Sequence, residues 1–353
     1  MAPTTVPAPT TTTTAPPPVS TGGVLRPVDT ITGNIAPKSV VATGTGLVFA
    51  QNMMYRHSMT VYDSTGVLQA TIDDSVDLTA LGIPGHPGVV RGAPVEVAFT
   101  PDRAYAYVSN YSMYGAGFGP EGKDACSPSS GYGASFVYRV ALATLAIDQA
   151  IQVGSVPKYV AVTPDGRFAL VSNWCSYDLS VIDTATHVEV QRVPIGPTPR
   201  GIVVSPDSTT AYVAVMGTND IAVVDLTTFS VDWIKGVGSG PRHLVMDATG
   251  QFLFATLNYA GEVAKIDLTT RQVVARARTG QSPRSMAIAA DGQSLYVVNY
   301  DSNTLSKLAA GDLSIQQTLA TPSHPIGITY DRTTGYVWVA AYSGEILLYS
   351  DTP

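Results

Sequence analysis

The chain has 353 residues, enough for one large repeat array or two domains, and carries 13% charged and 45% hydrophobic residues with a formal charge of −7. That balance argues against bulk attraction to nucleic acid or anionic lipid, and no apolar run approaches the roughly 18 residues of a membrane-spanning helix. Plentiful Gly (32) and Tyr (18) suit short strands joined by tight turns, so an all-β fold is expected.

Residues 1–23, almost entirely Pro, Thr, Ala, Ser, Val and Gly, cannot bury enough apolar surface to offset their ordering entropy and predict an extended, disordered stalk. The segment lacks the charged and apolar regions of a signal peptide. Its composition fits a mature exported protein, secreted or tethered at the cell surface through the stalk.

From residue 37 onward the sequence repeats. Units open at Pro37, Pro94, Pro157, Pro199, Pro241, Pro283 and Pro325, and the last five openings are each 42 residues apart. Within the unit that opens at Pro157, four short strands are predicted at 158–163, 168–173, 179–183 and 188–195, joined by Pro-Asp-Gly and Asp-Thr-Ala-Thr turns. Four strands per unit of this length is the pattern of a propeller blade, so the chain predicts a seven-bladed β-propeller over residues 24–353. The last unit has room for only three strands, and residues 24–32 supply the fourth, which closes the ring and removes an open sheet edge.

The strand-2 sequences YVSN (Tyr107 to Asn110) and YVVN (Tyr296 to Asn299) resemble the YVTN family of β-propellers, and the resemblance extends over residues 24–353. It implies the fold but no single chemistry. Propellers of this kind include surface-layer, periplasmic and DNA-associated proteins and, among looser relatives, lactonases and lyases.

In such a blade the innermost strand lines the channel, and the loops from strand 2 to 3 and from strand 4 to the next strand 1 share one face, here called the top. The bottom turns are short and uniform, so Asp165, Asp207, Asp291, Asp183, Asp225 and Asp267 are expected to be turn formers. Gaps of 57 and 63 residues after Pro37 and Pro94 place insertions around 73–93 and 111–135, both on the top, as expected of a binding face. The two cysteines, Cys126 in the second insertion and Cys175 in the matching loop of the next blade, predict a disulfide and an oxidising compartment; two independent thiols is the alternative.

The residue after each repeat Pro is Lys38, Val95, Lys158, Arg200, Arg242, Arg284 or Ile326. Five are basic and predict a cationic ring at the top of the channel, suited to carboxylate, phosphate or sulfate. Tyr111, Trp174, Tyr259, Tyr300 and Tyr342 are expected beside it, where they would stack sugars or bases. Against this stands neutralisation by Asp178, Asp220 and Glu262, which fall in top loops of their own blades.

Glu96 and His243, one residue further along their strands, offer a carboxylate and an imidazole at the same mouth, the parts for proton abstraction or lactone hydrolysis with Arg200, Arg242 and Arg284 stabilising the oxyanion. Met53, Met54, His57 and Met59 form a soft-ligand set of the kind copper takes, but they equally suit ordinary loop packing, and no metal site or cofactor is expected. The sequence therefore reads as a monomeric, exported binding module for an anionic small molecule, a glycan or a protein partner. The alternative is a lactonase or lyase at the same channel mouth.

Overall fold

A computed structural model of the protein describes residues 23–53, 55–111 and 125–351. The predicted stalk, apart from Gly23, therefore lies outside the described residues, as do Met54 and most of the second insertion. Seven four-stranded antiparallel sheets surround a central channel, each running in sequence order from the innermost strand outward except the last. In that sheet Arg26–Ile31 pairs with Glu345–Ser350, so the N-terminal segment is the outer strand of the final blade. Among the described residues no helix is long and apolar enough to cross a membrane.

The blade beginning at Pro157 shows how the sequence builds the unit. Its strands are Pro157–Val162, Phe168–Asn173, Asp178–Asp183 and Val188–Pro194, close to the predicted spans. The second strand is buried along its whole length because both of its faces pack against neighbouring blades, which is why YVVN-type runs are continuously apolar. Fourth strands such as Gln272–Arg278 alternate because only one face is covered. The Asn that ends the second strand ties it to the third: Asn173 Nδ2 donates to Asp178 Oδ1 (2.7 Å) and Ser180 Oγ (2.8 Å), and Asn299 repeats the arrangement with Thr304 and Ser306. The bottom-turn aspartates act as expected, with Asp165 and Asp207 accepting from the backbone N–H two residues on.

Two local devices recur where each unit enters the channel. The residue before the Pro adopts a positive φ in five blades, at Val156 (58°), Thr198 (53°), Gly240 (69°), Ser282 (52°) and His324 (59°). A left-handed residue before proline is sterically disfavoured, and Val or Thr there is strained, so tertiary contacts must hold it. Its carbonyl accepts the N–H of the residue just past the second strand, as in Trp174 to Val156 (2.9 Å) and Tyr342 to His324 (3.1 Å). Immediately after the Pro, the ladder with the second strand slips in six blades, for example from Pro157↔Asn173 to Tyr159↔Ser172. The residue after the Pro is thus a bulge residue, released from the ladder and re-aimed.

Ring closure is reinforced at the outside of the last two blades. Lys307, fully buried, donates to Asp351 Oδ1 (2.6 Å) and to the carbonyl of Gly23 (2.7 Å), and the Tyr296 hydroxyl donates to the other Asp351 oxygen. One cation therefore holds both ends of the described chain. The first insertion contributes a short hairpin, Ser75–Asp77 with Val89–Arg91, beside the buried Asp74, whose carboxylate meets His57 Nδ1 at 3.0 Å. Burial pushes the Asp74 carboxyl up to about 6, against the opposing pull of His57.

Candidate functional site: a cation-ringed channel

The bulges bring Lys158, Arg200, Arg242 and Arg284 around one constriction of about 30 Å³, where they meet Lys38, whose backbone N–H stays bonded to the Gln51 carbonyl (2.7 Å), and Val95 and Ile326 complete the ring. Lys38, Lys158, Arg200 and Arg242 are buried and Arg284 is half-buried. Each leans on the tip of a second strand. Lys158 Nζ lies 3.9 Å from the Tyr111 ring centroid, the Arg200 guanidinium 4.9 Å from Trp174, and Lys38 Nζ 5.6 Å from Tyr342, each tip belonging to the preceding blade. Arg242 follows the same rule with a thioether, its Nη1 standing 4.0 Å from Met216 Sδ. Arg284 departs from it, sitting 3.5 Å above Tyr300 of its own blade.

The departure has a register cause. The position two repeats beyond Trp174 is Asn258, and Tyr259 is one residue further on, where Trp174's blade has Cys175. Tyr259 is accordingly 64% exposed and borders a separate surface cleft with Gln281 and Asp301, away from the ring. The expectation that it stands with the other aromatic tips is corrected here.

The top-loop carboxylates pair outside the ring. Asp220 pairs with Lys235 (3.0 Å) and Glu262 with Arg276 (3.7 Å), both cations on or beside outer strands. Asp178 accepts from Asn173 and from Ser176 Oγ (3.1 Å). Five cations thus stand close together at the constriction. Burial holds the Lys38 ammonium well below its ordinary value, and Arg200, Arg242, Arg284 and Lys158 all push in the same direction.

Glu96 is the carboxylate that borders this constriction. Burial raises it to about 7, although Ser39, the Val97 N–H, Lys38 and Arg200 pull it down. His243 borders the same cavities, and burial, followed by the charge of Arg242, lowers its imidazole to about 3. Its Nε2 lies 3.1 Å from the Tyr159 hydroxyl, the two rings meet edge to face, and its buried Nδ1 has no hydrogen-bond partner among the described residues. Glu96 and His243 thus line the same channel wall, with His243 Nε2 facing the Tyr159 hydroxyl and burial lowering the basicity of its imidazole. Tyr159 itself was missed as a site residue; its only signal was its place in the same column as Glu96 and His243.

Cys126 and Cys175 form a disulfide with Cα atoms 5.2 Å apart, tying the second insertion to the next blade. The bond lies within an apolar top cluster that includes Met53, Tyr111 and Trp174. Met59 packs in a different cluster, so these two thioethers of the blade 1 loop do not converge, and His57 turns to Asp74.

The geometry defines a seven-bladed propeller with basic side chains ringing a constriction of its channel. The pattern of YNCE-like beta-propellers matches residues 129–308 and 188–343, which together span more than half of the sequence, and the chain belongs to that family. No curated protein matches it. Among solved structures it is similar in fold to Kuenenia stuttgartiensis Hydrazine Synthase, with a TM-score of 0.69 and 18% identity over 90% of this chain and 96% of that one.

Proposed function

We propose that the protein is an exported binding module that takes an anionic ligand at the top of its channel. The observation that supports this reading best is the convergence of five basic side chains on a single constriction, braced on aromatic faces. Gathering like charges in a buried place costs stability, and an anion recovers that cost on binding. Arginine forks suit carboxylate, phosphate or sulfate groups, and the adjoining aromatic rings suit sugar faces, so an anionic glycan or small molecule is the favoured ligand. The disulfide supports an oxidising compartment, and the Pro/Thr-rich segment supports stalk tethering.

The test is a thermal-shift screen against anionic saccharides, lactones and short single-stranded oligonucleotides at low and moderate salt. A ligand specific to the native state raises the midpoint. The expected result is a salt-sensitive rise with the anionic saccharides that is lost in Arg242→Ala and Arg284→Ala. A rise that survives both substitutions, or none with any anion, overturns the reading.

The buried Glu96 carboxyl, held near neutrality beside Arg200, favours a second reading in which the same mouth carries out lactone hydrolysis or elimination with Glu96 as the base. Turnover abolished by Glu96→Gln but only modestly changed by His243→Gln is the outcome that reading requires.

A further inference from the structure

Beneath the ring the channel widens into a chamber of about 410 Å³ that extends to the bottom turns. Its ceiling is polar, formed by Ser39, Glu96, Tyr159, His243 and Ser285, and its walls are apolar, with Val41, Val245, Ile288 and Ile328. Its floor carries Arg103 and Arg332, from the bottom turns of the second and seventh blades. We propose that this chamber is a second binding site, entered from the bottom face, for a small hydroxylated organic anion of the sugar phosphate or sugar acid class. The acid group sits on Arg103 and Arg332, and the hydroxyls reach the ceiling.

Four observations carry this. First, the volume lies within the roughly 300–1,000 Å³ of small-molecule sites, and the accessible lining is more polar than apolar, as a hydroxylated anion requires. Ser39 at the ceiling and Thr43 at the floor belong to one strand and its turn, so the chamber is about 13 Å deep at ~3.3 Å per residue. That depth suits an extended ligand with different chemistry at its two ends. Second, neither Arg103 nor Arg332 is in an ion pair among the described residues, and Arg103 Nη1 reaches only the Thr100 carbonyl (3.0 Å). Burial and then the Arg332 charge lower the Arg103 guanidinium, against the pull of Asp102, and a shared anion offsets the repulsion between the two cations.

Third, among the described residues the buried His243 Nδ1 has no hydrogen-bond partner, whereas Nε2 is taken by Tyr159, leaving a buried polar atom at the ceiling for a ligand hydroxyl. Fourth, the constriction above, about 30 Å³, admits little more than water, which needs roughly 10–15 Å³. A sugar-sized molecule therefore reaches the chamber through the bottom mouth, past the exposed Arg332.

Isothermal titration of the whole protein with glucose 6-phosphate, gluconate and glucose tests the proposal, followed by hydrogen exchange with the tightest probe. The expected result is binding of one or both anions but not glucose, at least tenfold weaker in Arg332→Gln and in Arg103→Gln, with protection at the bottom turns 43–46, 101–104 and 331–335. Because Arg332 is exposed, its variant serves as the measurement if Arg103→Gln melts early. Binding of glucose equal to that of the anions, affinity unchanged in Arg332→Gln, protection confined to the top loops, or no binding by any probe each overturns it.

Discussion

Two sets of buried cations divide this molecule. Lys307, between the last two blades, has a carboxylate at 2.6 Å and a carbonyl at 2.7 Å, both from the chain ends it holds. Lys38, at the channel mouth, has an aromatic face at 5.6 Å and four basic neighbours that oppose its charge, with Glu96 as the nearby carboxylate. The first arrangement compensates desolvation with close opposite charge, and the second adds repulsion to it. The charge that serves closure is paired in place, whereas the proposed ligand site would gather its charges at the expense of stability.

The contrast breaks most visibly at Lys307. Lys307→Met leaves the Asp351 carboxylate buried without its cation, and removing one partner of such a pair costs about 3–5 kcal/mol. Urea unfolding should show a loss of that size, and Lys307→Met combined with Asp351→Leu should recover much of it. A single variant within about 1 kcal/mol of the parent would mean that the terminal strand pairing alone closes the ring.

Glu96 sharpens the other side. Its folded value of about 7 lies above the ordinary carboxyl value of 4.5, so between these limits the native state holds more protons than the unfolded state and stability falls as pH rises. The burden is absent below about pH 4.5 and complete above about 7, on the order of 3–4 kcal/mol at 1.36 kcal/mol per unit. Glu96→Gln should therefore stabilise the protein at pH 8 and change little at pH 4, as read from unfolding curves at the two pH values. A variant destabilised at pH 8 would show that the Glu96 charge is held favourably by Lys38 and Arg200.

How far the sequence foretold this depends on the kind of signal. Blade number, strand spans, the closing N-terminal strand and the Cys126–Cys175 bond were all legible, because repeats of fixed length record backbone topology directly. The convergence of the cations was legible from Pro-Lys and Pro-Arg recurring in phase. The alignment failed by one residue at Tyr259, where an aromatic neighbour masked the true equivalent, Asn258. The lower chamber was not visible, since Arg103 and Arg332 occupy turns that look uniform and purely structural, and only the closed ring brings blades two and seven to the same floor. Nor could spacing reveal that Tyr159 occupies His243 Nε2, a contact between blades 84 residues apart in sequence.

The smallest expected effect is also the most direct comparison, because it applies the same substitution to the other kind of cation. Lys38→Met removes a desolvated charge and its repulsion with four neighbours, and methionine replaces most of the aliphatic stem against Tyr342. The expected change at neutral pH is a gain of up to about 1 kcal/mol, accompanied by weaker binding of anions at the top face. Opposite signs for Lys307→Met and Lys38→Met in the same urea assay would separate a cation kept for the fold from one kept for a ligand. If Lys38→Met instead destabilises by more than about 1 kcal/mol, attraction to Glu96 outweighs repulsion from the ring, and the mouth is a balanced structural cluster. The pH profile then decides the origin, because a loss that comes from the Glu96 carboxylate must vanish below pH 4.5, where that group is protonated in both folded and unfolded chains.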